Sequence, residues 1–223
     1  MELYDVMHTT FAARDFTDAP LPDATLVRIL DHARFAPSGG NRQGWYVLVV
    51  REQATREALV TLTTPAAQRY VAQQQAGENP WNSVHPTRVD AATIAQTPAP
   101  SRLTEPLLRA PVILIVCVDL QVVASTDQYL DRVGIISGAS IYPFAWNILL
   151  AARHEGYGGT ITTLAVSQEP ALRALFGLPD HVAVCAVIPL GQPATQLTRL
   201  RRKAVSAFAM HERWGGTPLT AHQ

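Results

Sequence analysis

Residues 36–45 read Ala-Pro-Ser-Gly-Gly-Asn-Arg-Gln-Gly-Trp. Gly39 and Gly40 let backbone N–H groups come close to a ligand. Ser38, Asn41 and Gln43 add neutral donors and acceptors, with Pro37 at the turn's entrance. Such groups hydrogen-bond the polar edge of a flat heteroaromatic ring without burying charge. An ordinary helix-to-strand loop uses the same residue types. A second feature is Arg14, and a third is the basic run Arg199, Arg201, Arg202 and Lys203. Forked guanidinium groups suit an anionic phosphate. The two form one phosphate site if the fold joins the chain's ends; otherwise each is a solvated charged face. A fourth feature is Gly156, Gly158 and Gly159 followed by Thr160, which also reads as a helix C-cap turn.

Other chemistries lack support. There is no HExxH, GxSxG, GxGxxG or P-loop pattern, and the seven histidines show no metal-ligand spacing. Carboxylates are scattered rather than paired in apolar surroundings, which argues against hydrolytic and metal chemistry. Cys117 and Cys185 lie inside apolar runs and read as buried, reduced thiols.

The elements that must position these residues can be read in order. A short helix is expected over residues 2–8, then an extended stretch up to Pro20 and Pro22. Asp23 opens an amphipathic helix with Leu26, Ile29, Leu30 and Ala33 on one face, which Pro37 ends by restricting Ala36. Residues 45–50 (WYVLVV) predict a buried strand, and a helix follows from about Glu52. Residues 65–106 are polar, turn-rich and weakly periodic, which predicts a lid-like insertion over a site, with Tyr70, Trp81 and His85 as candidate stacking groups. Residues 110–119 and 181–191 predict strands, and a helix between them should stop at Gly177. Residues 134–155 predict one long helix, apolar all round and kinked at Pro143. Such a helix is either the core of a subunit interface or the centre of the monomer. A basic, then aromatic, tail closes the chain.

With 223 residues, 48% hydrophobic and 16% charged, the chain suits a single domain over residues 1–223. Eighteen basic residues balance eighteen acidic ones, so no general electrostatic footprint for nucleic acid or an anionic membrane is present. The N-terminus lacks the apolar core of a signal peptide, and no apolar run is long enough to span a bilayer; a cytoplasmic location is the expectation.

Taken in order, AARDFTDAPLPDATLVRILDHARFAPSGGNRQGWYVLVV, APVILIVCVD, NILLAARHEGYGGT and FGLPDHVAVCAVIPLGQP resemble the nitroreductase family of FMN-dependent oxidoreductases. The resemblance implies an α+β fold: a three-layer α/β/α sandwich around a mixed, mainly antiparallel sheet, assembled as an intertwined homodimer with FMN at the subunit interface. It also implies roles for particular residues. Thr10, Phe11, Ala12 and Arg14 would wrap the ribityl and phosphate. Pro37, Ser38, Gly39, Asn41 and Gln43 would meet the flavin, partly from the partner. Gly158, Gly159 and Thr160 would face the ring, one N–H directed to N5, and Arg201 and Arg202 would complete the phosphate site. The chain departs from the family where an Arg-Arg-Ser-x-Arg-x-Phe opening is usual, since residues 10–16 read Thr-Phe-Ala-Ala-Arg-Asp-Phe. The implied activity is hydride transfer from NADH or NADPH to a small-molecule electron acceptor such as a nitroaromatic or quinone, with no catalytic side chain and no metal. Flavin-dependent dehalogenation or dehydrogenation, or non-enzymatic FMN binding, are the alternatives.

Overall fold

The computed structural model describes residues 1–221. Four strands form one sheet in the order β1-β2-β4-β3: β1 is Trp45–Val50, β2 Val112–Asp119, β3 Gly158–Gly159 and β4 Val182–Gly191. All three neighbouring pairs are antiparallel. Among the described residues the parallel pairing is a bridge from Ala12 to Gly159, and the segment continues to a second bridge from Phe16 to Pro193. The sheet is thus mixed but mainly antiparallel, as expected.

β2 is apolar at seven consecutive positions because both its faces are covered. Val112, Leu114, Val116 and Val118 pack with helices α2 (Asp23–Ala33) and α6 (Tyr142–His154). Ile113, Ile115 and Cys117 point the other way, to a layer containing α3 (Gln53–Gln75), α5 (Ser101–Arg109) and α7 (Glu169–Phe176). Alternate side chains of a strand serve opposite layers, so two cores on one sheet make the three-layer sandwich. Of the remaining helices, α1 is Leu3–Thr9 and α4 is Ala91–Gln96. An ion pair of 2.7 Å from Arg28 on α2 to Glu155 ties α2 to the end of α6 and holds the Glu155 carboxyl below its ordinary range. No described helix is long and apolar enough to cross a membrane.

Four sequence expectations need correction. The strand over residues 45–50 is not buried throughout: it is an edge strand with β2 as its one neighbour, and Tyr46 and Val49 are exposed. Residues 65–75 are not irregular but the second half of α3, which runs through Pro65. Pro65 sits on an exposed face, and the Thr63 and Thr64 hydroxyls donate to the carbonyls of Leu59 and Val60 at 2.7 and 2.8 Å, reinforcing the helix where the proline removes a backbone donor. Helix, strand-side and loop neighbours contact α3 on several sides, so its apolar residues show no single stripe. Residues 101–106 likewise belong to α5, which leaves 76–90 and 97–100 as the irregular stretches around α4. Finally, residues 134–155 do not form one kinked helix. A 3-10 turn at Ile136–Ser140 comes first, and α6 starts at Tyr142, so Pro143 lies in the first turn where its missing N–H costs nothing. The preceding α2 also ends at Ala33, ahead of Pro37.

Ile148 on α6 is fully buried between α2 and the sheet. Ile148→Ala should therefore lower unfolding stability by about 2–5 kcal/mol. Urea denaturation will show this as a reduced midpoint with an unchanged slope.

Candidate cofactor site

The site grows from the place where three stretches of backbone meet. The Ala13 N–H donates to the Gly159 carbonyl at 3.0 Å, while Gly158 and Gly159 pair with Gly191 and Leu190 of β4. The approach tolerates no side chain at β3. A Cβ on Gly159 would lie 2.5 Å from the Pro189 carbonyl oxygen, and one on Gly158 would lie 2.9 Å from Pro193. Gly156, at φ +85°, is the left-handed residue that lets the chain leave α6 and turn into β3.

Thr160 follows directly. It is only 5% exposed, yet among the described residues neither its N–H nor its hydroxyl has a hydrogen-bond partner. Buried donors are rarely left so. Thr160 lines a cavity of about 210 Å³ together with Arg14, Tyr70 of α3 and Arg102 of α5. A neutral backbone donor beside a guanidinium, with no carboxylate on the wall, is a site for an electron-rich, partly anionic ligand edge.

The other sequence candidates are placed as follows. The Thr10 hydroxyl donates to the Val6 carbonyl at 2.7 Å, closing α1, and Phe11 packs beside Ala13, Phe16 and Ala110. Ala12 is exposed, and its carbonyl accepts from the Arg14 guanidinium at 3.3 Å. Arg201 and Arg202 are exposed in the tail, which is tied to the end of α1 by Gln196, whose amide donates to the Thr9 carbonyl at 3.0 Å. Arg14 shares its cavity with Arg102, and Arg201 and Arg202 are not among the residues lining it. Sequence reasoning missed Arg102, because one arginine early in a proline-flanked helix carries no signal until α5 is set against β3.

The loop over residues 37–43 is a second, separate cluster. The Gly39 N–H donates to the Ser140 hydroxyl at 3.1 Å, and the Gln43 N–H donates to the Ser38 hydroxyl at 2.9 Å. Asn41 and Gln43 both take left-handed conformations, at φ +53° and +50°, and the Gln43 amide donates to Asn41. Non-glycine residues held there store strain that marks functional turns. This loop packs ahead of α6, whereas Gly159 packs beside Leu149. None of residues 37–43 lines the cavity that holds Arg14 and Thr160.

The start of the turn that leads to Ser140 is anchored by a buried carboxylate. Asp127 Oδ2 accepts from the Ile135 N–H at 2.8 Å and from Arg132 at 2.7 Å, which holds its carboxyl below the ordinary range. The second oxygen, Oδ1, is buried without a partner. No metal-binding cluster exists among the described residues. The two thiols are unpaired, and burial pushes Cys117 up to about 11 and Cys185 up to about 12, so neither is a nucleophile at neutral pH.

A mixed α+β sandwich whose backbone presents an unpartnered N–H beside a cationic cavity is built to hold a ligand. The chain belongs to the nitroreductase family, whose model matches residues 9–192. A Thermus thermophilus protein described as NADH dehydrogenase is 28% identical over 211 residues, 82% of each chain. The crystal structure of oxidised iodotyrosine deiodinase bound to FMN and 3-iodo-L-tyrosine matches with a TM-score of 0.68 at 18% identity, covering 96% of this chain and 100% of that one. The NADPH:FMN oxidoreductase of Vibrio harveyi, complexed with NAD+, matches with a TM-score of 0.64 at 19% identity, covering 95% of this chain and 78% of that one.

Two outcomes test this geometry. Gly159→Ala must push β3 away from the Pro189 carbonyl, an overpacking cost of about 1–3 kcal/mol, read as a lowered thermal midpoint. The depressed Asp127 carboxyl favours the folded loop above the ordinary carboxylate range, and that contribution is lost as pH falls through the depressed value. The protection factor of the Ile135 amide, its exchange rate measured against the intrinsic rate at the same pH, should therefore fall on acidification, and in Asp127→Ala it should be low already at neutral pH.

Proposed function

We propose that the protein is an FMN-dependent oxidoreductase that carries electrons from NADH or NADPH to a small oxidised acceptor, working as a homodimer. The observation that carries this reading is Thr160: a residue only 5% exposed whose N–H has no hydrogen-bond partner among the described residues, lining one cavity with Arg14 and following directly on the glycine pair of β3. The donor set fits a flavin, whose ring needs neutral donors along one edge and positive charge where the reduced form is anionic.

Bound FMN would supply two-electron chemistry between nicotinamide and acceptor, such as a nitroaromatic, a quinone or a halogenated phenol. The chain's part is to bind, orient and exclude water. The Gly158–Gly159 backbone and the Thr160 N–H would support the ring; the stretch from Thr10 through Phe11 and Ala12 to Arg14, which runs beside β3, would hold the ribityl chain. Arg201 and Arg202 would meet the phosphate, in line with the tail being anchored at Thr9. No cavity residue is a general base, since hydroxyls and guanidiniums are the polar groups on its wall.

Pro37, Ser38, Gly39, Asn41 and Gln43 line no part of the cavity that holds Arg14 and Thr160, and would reach such a ligand from a second copy. Exposed apolar groups support the pairing. Tyr142 and Trp146 on α6, with Tyr129, Leu130, Val133 and Ile135 ahead of it, leave a large apolar surface open in the single chain. Residues 65–106 would supply the cover of the site through Tyr70 of α3 and Arg102, Leu103 and Pro106 of α5, which line the cavity. Residues 76–100 do not line it.

The purified protein should be yellow, elute as a dimer, and lose its visible flavin band when NADH or NADPH is added without oxygen. A colourless protein that takes up no added FMN overturns the reading. A bound flavin that neither nucleotide reduces would make the protein a flavin carrier instead.

A further inference from the structure

Among the buried polar residues, Thr10, Thr63 and Thr97 each give their hydroxyl proton to a carbonyl one turn back. Ser140, only 7% exposed, does the opposite. Its hydroxyl accepts, from the Gly39 N–H at 3.1 Å, across 101 residues of chain. Among the described residues the hydroxyl has no other partner.

The loop that Ser140 receives is under strain. Gly40, Asn41 and Gln43 take left-handed conformations, at φ +61°, +53° and +50°, and two of them carry side chains. Internal bonds close the turn on itself: the Asn41 N–H donates to the Ser38 carbonyl, and the Gln43 N–H to the Ser38 hydroxyl. Among the described residues, 38–43 reach the rest of the chain through two hydrogen bonds. One is Gly39 to Ser140; the other is the exposed Arg42 side chain to the Val122 carbonyl at 3.2 Å. The first is the only one made by the loop's backbone.

The receiving side is firm. The turn at Ile136–Ser140 starts where Asp127 accepts the Ile135 N–H. The Tyr142 ring covers Gly138, where a Cβ would lie 3.0 Å from it, and the Tyr142 hydroxyl donates to the Cys185 carbonyl of β4 at 3.2 Å. Ser140 is thus tied to the sheet through its neighbours. Neither it nor residues 37–43 line the cavity of Arg14 and Thr160 in their own chain.

We propose that Ser140 is a positioning residue for the flavin held by the other subunit. Its hydroxyl latches the strained loop over residues 37–43 to the start of α6, so that the loop's neutral donors meet that flavin already in place. A loop ordered beforehand loses less entropy when the ligand binds. This rests on the flavoenzyme reading and adds to it a residue that acts through the loop.

The test compares FMN dissociation constants, read from quenching of flavin fluorescence. Ser140→Ala leaves the Gly39 N–H without its partner and should weaken FMN binding about tenfold, with the dimer intact on gel filtration. Ser140→Cys keeps the side chain's place but offers a poorer acceptor, and should fall between. The decisive arm is a hybrid dimer, made by co-expressing a Ser140→Ala chain and an Arg14→Ala chain under different tags. If Ser140 acts across the interface, both substitutions fall in one site and the hybrid holds one FMN at wild-type affinity. If it acts within its own chain, each site carries one substitution and no such FMN is found, which overturns the proposal. Unchanged FMN affinity in Ser140→Ala and Ser140→Cys overturns it as well, with the flavoenzyme reading intact. Wild-type protein that takes up no FMN sinks that reading itself, and this inference with it.

Discussion

Everything at the candidate site depends on how closely three backbones run past one another at Gly158 and Gly159. The contact is made by main chain alone: the opening segment hydrogen-bonds one side of β3, and β4 pairs with the other. Because no side chain intervenes, the N-terminal and C-terminal parts of the chain are fixed within a strand spacing of each other. That contact sets Arg14 beside Thr160 and leads the tail toward the end of α1. A substitution that thickens β3 moves all of these together.

The parts of the fold legible in the sequence were those with one-sided or unmistakable patterns. α2 shows a single apolar stripe, β2 an unbroken apolar run, and Gly177 at φ +61° ends α7 as a C-cap glycine should. The nitroreductase family was legible from the order of such segments, as the match over residues 9–192 bears out. What escaped notice had its pattern erased by tertiary contacts. α3 is touched on several sides and so has no stripe, and Pro65, an ordinary helix breaker, sits on its solvent face where its ring meets no packed neighbour. α6 looked longer because the 3-10 turn before it is as apolar as the helix itself. For the site, residue types around 36–43 and 158–160 were visible, but Arg102 was not, since only the docking of α5 gives it a role.

The electrostatics follow from the same economy. In a chain with eighteen charges of each sign, six arginines are held in ion pairs, and two of those that are not, Arg14 and Arg102, line the cavity beside Thr160. The loop over residues 37–43 is handled differently. Apart from Arg42 its side chains are neutral, and it is tied through Ser140 to a turn whose start a buried aspartate anchors. Charge attracts in one cluster, and shape orients in the other.

The irregularity between β2 and β4 has a consequence for how the family can vary. Val116 pairs with Ala186 and Cys117 with Val184, so β4 carries one residue more than its neighbour. Cys185 and Ala186 consequently face the α6 layer in succession, and the Cys185 carbonyl accepts the Tyr142 hydroxyl at 3.2 Å. The extra residue acts as a phase-shifter: Val182 and Val184 serve one core, while Ile188 and Leu190 serve the other, from even-numbered positions on a single strand. Deleting that one residue would restore strict alternation without turning any side chain over, because Val184 and Val187 already face one core and Ala186 and Ile188 the other. A residue gained or lost anywhere else along the strand would turn the part beyond it inside out, so length is tolerant at the bulge and tightly constrained away from it.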